Sequence, residues 1–134
     1  MPAVDPFVPL PAYLQVAAGL RADIASGRLG PGANLPSEQT IAHTYDVGRG
    51  TVRRAVAELR AEGLIDATRG ALARVREPVD LTPAKLPRGA RVRLRMPTQT
   101  ERTELRIPEG VPVAVVTAGE SVTVYPGDRY ELVT

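Results

Sequence analysis

Residues 45–65 read YDVGRGTVRRAVAELRAEGLI, and this stretch decides the fold. Val52, Ala55, Val56 and Leu59 fall at i, i+3, i+4 and i+7, the apolar stripe of one helix face, so a helix is predicted from about Arg49 to Glu62. Asp46-Val47-Gly48 makes a turn in front of it, and Gly63 stands where a helix-ending glycine belongs. The start of this helix holds Arg49, Thr51, Arg53 and Arg54 and no acid. Its guanidinium groups therefore gather at the helix end whose free N–H groups already favour anions.

Outward from this helix the pattern continues in both directions. Upstream, Pro36-Ser37-Glu38 opens a shorter helix, with Ser37 as N-cap and Glu38 at the positive helix end. Ile41, Ala42 and Tyr45 supply its apolar face. Further upstream, Tyr13, Val16, Ala17, Leu20 and Ile24 mark a first helix that stops at Ser26-Gly27. The turn-rich Leu29-Gly30-Pro31-Gly32-Ala33 then leads into the second helix. Downstream, strand-like pieces at Leu64–Thr68 and Leu72–Arg76 flank Arg69-Gly70, a β-hairpin.

Three helices and a hairpin in this order predict a winged helix-turn-helix. The second helix braces the third, the third sets its first residues in the major groove of duplex DNA, and the hairpin tip reaches a neighbouring backbone or minor groove. Arg can fork onto guanine O6 and N7, and a Thr hydroxyl can contact base or phosphate. A single Arg on a helix is ordinarily a solvated residue, and Glu58 is spaced to pair with Arg54. The clustering at the first turn, behind a short turn and before a hairpin, favours DNA.

Composition narrows the class. Without cysteine, disulfides, thiolate nucleophiles and Cys-ligated metals are excluded. The 43% of hydrophobic residues can build a core. No apolar run is long enough for a membrane span, and Met-Pro-Ala-Val-Asp does not open like a secretion signal, so a cytoplasmic protein is expected. The net charge of +2 says little about nucleic acid, but Lys85 is the only lysine among 17 basic residues. Arg is the better residue for bidentate contacts, although a high-GC genome biases codons the same way. No phosphate loop, metal cluster or nucleophile–base pair is visible, so neither an enzyme nor a cofactor is expected. His43, the only histidine, reads as a surface residue, and Glu101 and Glu104 read as a solvated helix face.

Residues 12–76 resemble the GntR family of bacterial transcription regulators. The resemblance rests on Tyr13-Leu14-Gln15-Val16-Ala17 through Leu20 to Gly27, on Leu29-Gly30-Pro31-Gly32 running into Leu35-Pro36-Ser37-Glu38, and on Tyr45 through Ala55 continuing to Leu59 and Glu62-Gly63-Leu64-Ile65. It implies that DNA is read through the second helix, the start of the third and the wing glycine. Those positions are Gln39, Gly48, Arg49, Gly50, Thr51, Arg53 and Gly70 here, with Arg49 and Arg53 at the strongest DNA-contacting places. Ser37, Arg54 and Arg69 complete the candidate set, and Arg69 and Arg74 are placed to hold phosphates. Two departures stand out. Gly48 replaces a family Ser or Thr that caps the third helix and touches phosphate. The wing reads Gly70-Ala71-Leu72-Ala73 in place of glycine-x-glycine-Thr, which weakens the case for wing insertion.

The remainder is less distinctive. Pro2, Pro6, Pro9 and Pro11 predict an extended or mobile arm over residues 1–11, and Pro78, Pro83 and Pro87 a linker over 77–87. Residues 88–134 are predicted as a small β-rich module with strands Arg91–Met96, Val111–Thr117, Ser121–Tyr125 and Tyr130–Val133, and a helical piece at Thr100–Leu105. Thr98 to Val116 resembles the opening of the effector domain of the HutC subgroup, although its Leu-x-Ile-Pro-Glu-Gly-x-Pro-Val spacing also suits a turn entering a strand. At this size a metabolite pocket is not expected. The module's expected role is dimerisation, against the simpler reading of strands tucked onto the winged helix. Arg91, Arg93 and Arg95 alternate with Val92, Leu94 and Met96, so a strand puts the Arg residues on one face. That face is either an anion-binding or DNA-flanking surface, or a strand face kept from edge pairing by charge.

The expected fold class is therefore α+β, a winged helix-turn-helix of residues 12–76 followed by the β-rich module. The expected function is sequence-specific binding of double-stranded DNA by a transcription regulator, a repressor, as a homodimer on a palindromic or pseudo-palindromic operator, without a small-molecule effector. The alternative is a plasmid replication or partition factor.

Overall fold

The computed structural model describes residues 3–66 and 72–134. The chain divides into two compact units, Met1–Glu77 and Pro78–Thr134.

In the first unit, helices α1 (Ala12–Ala25), α2 (Glu38–Tyr45) and α3 (Arg49–Ala61) follow in order. The Ser37 hydroxyl accepts the Thr40 backbone N–H at 3.1 Å and caps α2. Asp46 ends α2 in the left-handed conformation, which a short polar side chain tolerates. Gly48 caps α3 with no side-chain bond, and Gly63 turns the chain out of α3 at φ +78°. The three apolar stripes meet in one core: Val16, Ala17 and Leu20 of α1, Ile41 and Tyr45 of α2, and Val52, Ala55 and Leu59 of α3, closed by Leu35 and Ile65. Gly19 lets α1 come close to α2. A Cβ there would lie 2.9 Å from Tyr45 Cε1 and nearer still to the phenolic oxygen.

Strands β1 (Ile65–Asp66) and β2 (Arg74–Val75) pair antiparallel, Ile65 opposite Val75 and Asp66 opposite Arg74. The segment before α2 adds to β2: Leu35 N donates to Ala73 O at 2.7 Å, and Val75 N to Ala33 O at 2.8 Å. Among the described residues the pairing falls within the predicted Leu64–Thr68 and Leu72–Arg76. The predicted hairpin tip, with Arg69 and Gly70, lies outside the described residues.

The N-terminal segment differs from a free arm. Val4 N donates to Tyr45 O, and the Gln15 amide binds the backbone of Asp5 and Leu10, so residues 4–10 are held against this unit. Phe7 nevertheless stands 91% exposed.

In the second unit, strand β3 (Thr82–Lys85) pairs in parallel with β7 (Tyr130–Val133), Thr82 opposite Tyr130 and Lys85 opposite Val133. Part of the stretch predicted as linker is therefore a strand. The donors facing β7 come from Thr82 and Leu86, so Pro83 turns its missing N–H to the open edge, where a sheet tolerates proline. Strands β4 (Arg91–Arg95), β5 (Val113–Ala118) and β6 (Ser121–Pro126) form an antiparallel sheet in that order. Helix α4 (Gln99–Glu104) follows β4 and opens with a capping box between Thr98 and Glu101.

The register sets Arg91, Arg93 and Arg95 opposite Thr117, Val115 and Val113, on one sheet face as their alternation predicts. The small core also lies on that face: Val113 with Ile107 and Val111, flanked by Val115 and Val124. An apolar strand face usually turns inward, yet Leu94 is 74% and Val92 44% exposed. On the face of Leu94 and Val92, their partners Ala114 and Val116 are nonetheless buried. Glu101 takes Arg95 Nη1 and Nη2 at 2.7 and 2.9 Å and so ties the start of α4 to β4. The chain after α4 then brings Ile107 and Val111 onto Val113.

Candidate nucleic-acid interface

The predicted site residues of the described region gather where α2 meets the start of α3. Ser37 is occupied by its cap and by the Thr40 hydroxyl at 2.9 Å. Gln39 lies beside Arg49, whose Nη2 is 3.5 Å from Gln39 Oε1, the outer limit of a hydrogen bond. Gly48 and Gly50 border open space, so the backbone at the start of α3 is unshielded. Thr51 is half-buried one residue on.

Arg53 and Arg54 separate in role although adjacent. Arg53 reaches across to α2 and donates Nε–H to both Glu38 carboxylate oxygens at 3.2 Å. Its side chain remains 65% exposed. Arg54 turns to α1 and stacks its guanidinium on the Tyr13 ring at 4.0 Å. Arg74, read as a phosphate holder, has Nε and Nη2 on the Gly32 carbonyl at 3.2 and 3.1 Å and braces the connection before α2.

Sequence reading missed Glu38 as a member of this group. Its place in the first turn of α2 marks it as a favourable dipole partner, and only the helix-turn-helix crossing brings it to Arg53. Tyr13, which marks the apolar face of the first helix in the sequence, also serves as a platform for Arg54. Among the described residues no group of acidic, His or Cys side chains is arranged to hold a metal ion, and no helix is long and apolar enough to cross a membrane.

The sequence model of the bacterial regulatory proteins of the gntR family matches residues 12–75, which span α1 to β2. Residues 12–75 are a GntR-family helix-turn-helix domain. Among its relatives, the HTH-type transcriptional repressor NagR of Bacillus subtilis is 39% identical over 62 residues, 46% of this chain and 26% of NagR. The HTH-type transcriptional regulator SmoD of Agrobacterium fabrum is 38% identical over 61 residues, 46% of this chain and 26% of SmoD. The chain thus spans about a quarter of the length of these relatives. The structure of YtrA from Sulfolobus acidocaldarius, a GntR-family transcription factor, superposes with a TM-score of 0.52 at 33% identity, covering 57% of this chain and 80% of YtrA. The GntR helix-turn-helix fold of three helices and strands is thereby shared with known regulators over residues 12–75, and a small sheet module follows it in this chain.

Proposed function

We propose that this chain is a sequence-specific DNA-binding transcription regulator, a repressor, that works as a homodimer on a palindromic or pseudo-palindromic operator. The observation that carries the proposal is the open start of α3, where Arg49 and Arg53 stand exposed side by side with the braced α2. In this reading α3 enters the major groove with its first turns. Arg49 and Arg53 read base edges, while Ser37, Gln39, Thr51 and the backbone of Gly48 and Gly50 bear on the phosphates. Arg69 and Gly70 serve the wing. Arg54 steadies the interface through Tyr13. NagR, a repressor by name, supports the sign of regulation.

Dimerisation follows from the short reach of one winged helix, which reads few base pairs, and from the prevalence of two-fold symmetry in such regulators. Residues 88–134 supply the contact, and the exposed Leu94 and Val92 are apolar surface available for it. The regulator works in the cytoplasm, where its DNA is. Selection of bound duplexes from a random pool, followed by light-scattering sizing of the complex, tests the reading. Recovery of a two-fold symmetric motif bound by two chains is expected. Failure to enrich any motif overturns sequence-specific binding, and a single chain on an asymmetric half-site overturns the dimer.

A further inference from the structure

The second unit carries cations that its own fold leaves unused. Residues 81–100 hold Lys85, Arg88, Arg91, Arg93 and Arg95 without an acid. Arg95 is taken by Glu101. Lys85 ends β3, and Arg88 sits in the turn that Ala90 N closes onto Pro87 O at 3.1 Å. Arg91 and Arg93 project from the sheet face that also carries Thr117, Val115, Val122 and Val124, a set with no carboxylate. All four remaining cations are exposed.

We propose that Arg91 and Arg93, with Arg88 beside them, form a phosphate-contacting ridge for duplex DNA flanking the site read by the winged helix. The proposal rests on the reading of residues 12–75 as a DNA-binding domain and extends it to the second unit. Three physical arguments select duplex DNA over a small anion. First, the hollow beside Arg91 and Arg93 is open, floored by Val115 and Thr117, and among the described residues no polar side chain is buried that would enclose and orient a small ligand. Second, an isolated ion pair on an exposed strand gains little against water, whereas a polyanion adds the release of its condensed counterions at every phosphate neutralised. Third, residues two apart on a strand stand about 6.6 Å apart on one face, a linear array of charge suited to a repeating backbone rather than a point anion. Six residues, 76–81, join β2 to β3, so a winged helix seated on its site holds the ridge at high effective concentration near the same duplex.

The contact carries no base preference, because nothing around β4 enters a groove. The test uses the full chain and a duplex selected from a random pool, in two lengths. One ends at the edges of the selected motif, and the other extends it by about one helical turn on each side. Binding is measured against salt for wild type, for the double variant Arg91→Gln with Arg93→Gln, for the corresponding double Lys variant, and for Arg106→Gln on the loop after α4. Thermal midpoints confirm that each variant is folded.

On the long duplex the Gln pair is expected to flatten the dependence of log K on log salt by about 1.8, two phosphates' worth. The short duplex, the base preference and the Arg106→Gln protein should show no such change, and the Lys pair should keep the wild-type slope. An unchanged slope on the long duplex overturns the proposal. So does an equal loss on both lengths, an equal loss in Arg106→Gln, or failure of the Lys pair to rescue. Saturable binding of inorganic phosphate at Arg91 and Arg93 with an unchanged slope assigns the ridge to a small anion and also overturns it. If wild type selects no duplex, it is the reading of residues 12–75 that fails, and the ridge falls with it.

Discussion

Arg53 of α3 gives its Nε–H to both carboxylate oxygens of Glu38 on α2, at 3.2 Å each, and its side chain stays 65% exposed. Between partly exposed side chains such a pair stabilises the fold by about 0–1 kcal/mol. Its larger effect is on direction. The Nε donor is spent on Glu38, which leaves the two terminal nitrogens, the fork by which an Arg can match guanine O6 and N7.

Loss of Arg53 should therefore remove base reading. Arg53→Ala is expected to cost about 1–3 kcal/mol on the selected site and to relax preference at one base pair. Glu38→Gln should lower discrimination at that same base pair while raising affinity for scrambled DNA, since it removes a negative charge near the phosphates. Competition binding with selected and scrambled duplexes reads both effects. If Glu38→Gln weakens both duplexes equally, Glu38 serves only the fold.

Arg54 should behave in the opposite way. Stacked on Tyr13, its guanidinium contributes about 0.5–1 kcal/mol to stability as an exposed cation–π contact. Arg54→Ala is expected to lower the urea midpoint and leave base preference intact. A changed preference at a defined base pair would place Arg54 among the reading residues.

Gly19→Ala tests the α1–α2 approach. In an open helix this change gains about 1 kcal/mol. Here the new methyl meets the Tyr45 ring, whose nearest carbon lies at 2.9 Å, and overpacking of a core costs about 1–3 kcal/mol. The clash should win, and adding Tyr45→Phe should recover part of the loss by removing the hydroxyl. Thermal unfolding of the two variants and their combination checks this. A Gly19→Ala protein more stable than wild type would contradict the packing.

The Glu101 carboxyl is held down to about 2, first by its hydrogen bonds from Arg95 and then by the Thr98 backbone N–H. A depressed acid stabilises the folded state above its unfolded value and loses that contribution as pH falls through the folded value. The window runs from about 4.5 down to about 2. Acidification across it should loosen α4 from β4, and Glu101→Gln should flatten the pH dependence there. NMR titration of the Glu101 carboxyl carbon against the amide shifts of α4 follows both. A midpoint near the ordinary Glu value would show that Arg95 does not hold it in solution.

The sequence by itself determined the three helices, their caps and the stripe each turns inward. These depend on residues within one or two turns: Ser37 capping Thr40, Gly63 ending α3, and Val52, Ala55 and Leu59 recurring along one face. It also determined which face of β4 carries arginine, because alternation along a strand is local. Tertiary structure alone decided what those faces meet. Glu38 and Arg53 lie 15 residues apart and are joined by the crossing of two helices, while Arg53 and Arg54 are neighbours with different partners. Pro83 reads as a break, yet its strand edge is open and β7, far along the chain, supplies the pairing. In the second unit Val113 is buried on the arginine face because Ile107 and Val111, brought back by the chain after α4, pack on it, while Ala114 and Val116 are buried on the other face. A local pattern specifies the conformation of a segment, and contacts between distant segments decide which surface is buried and which stays free for a partner.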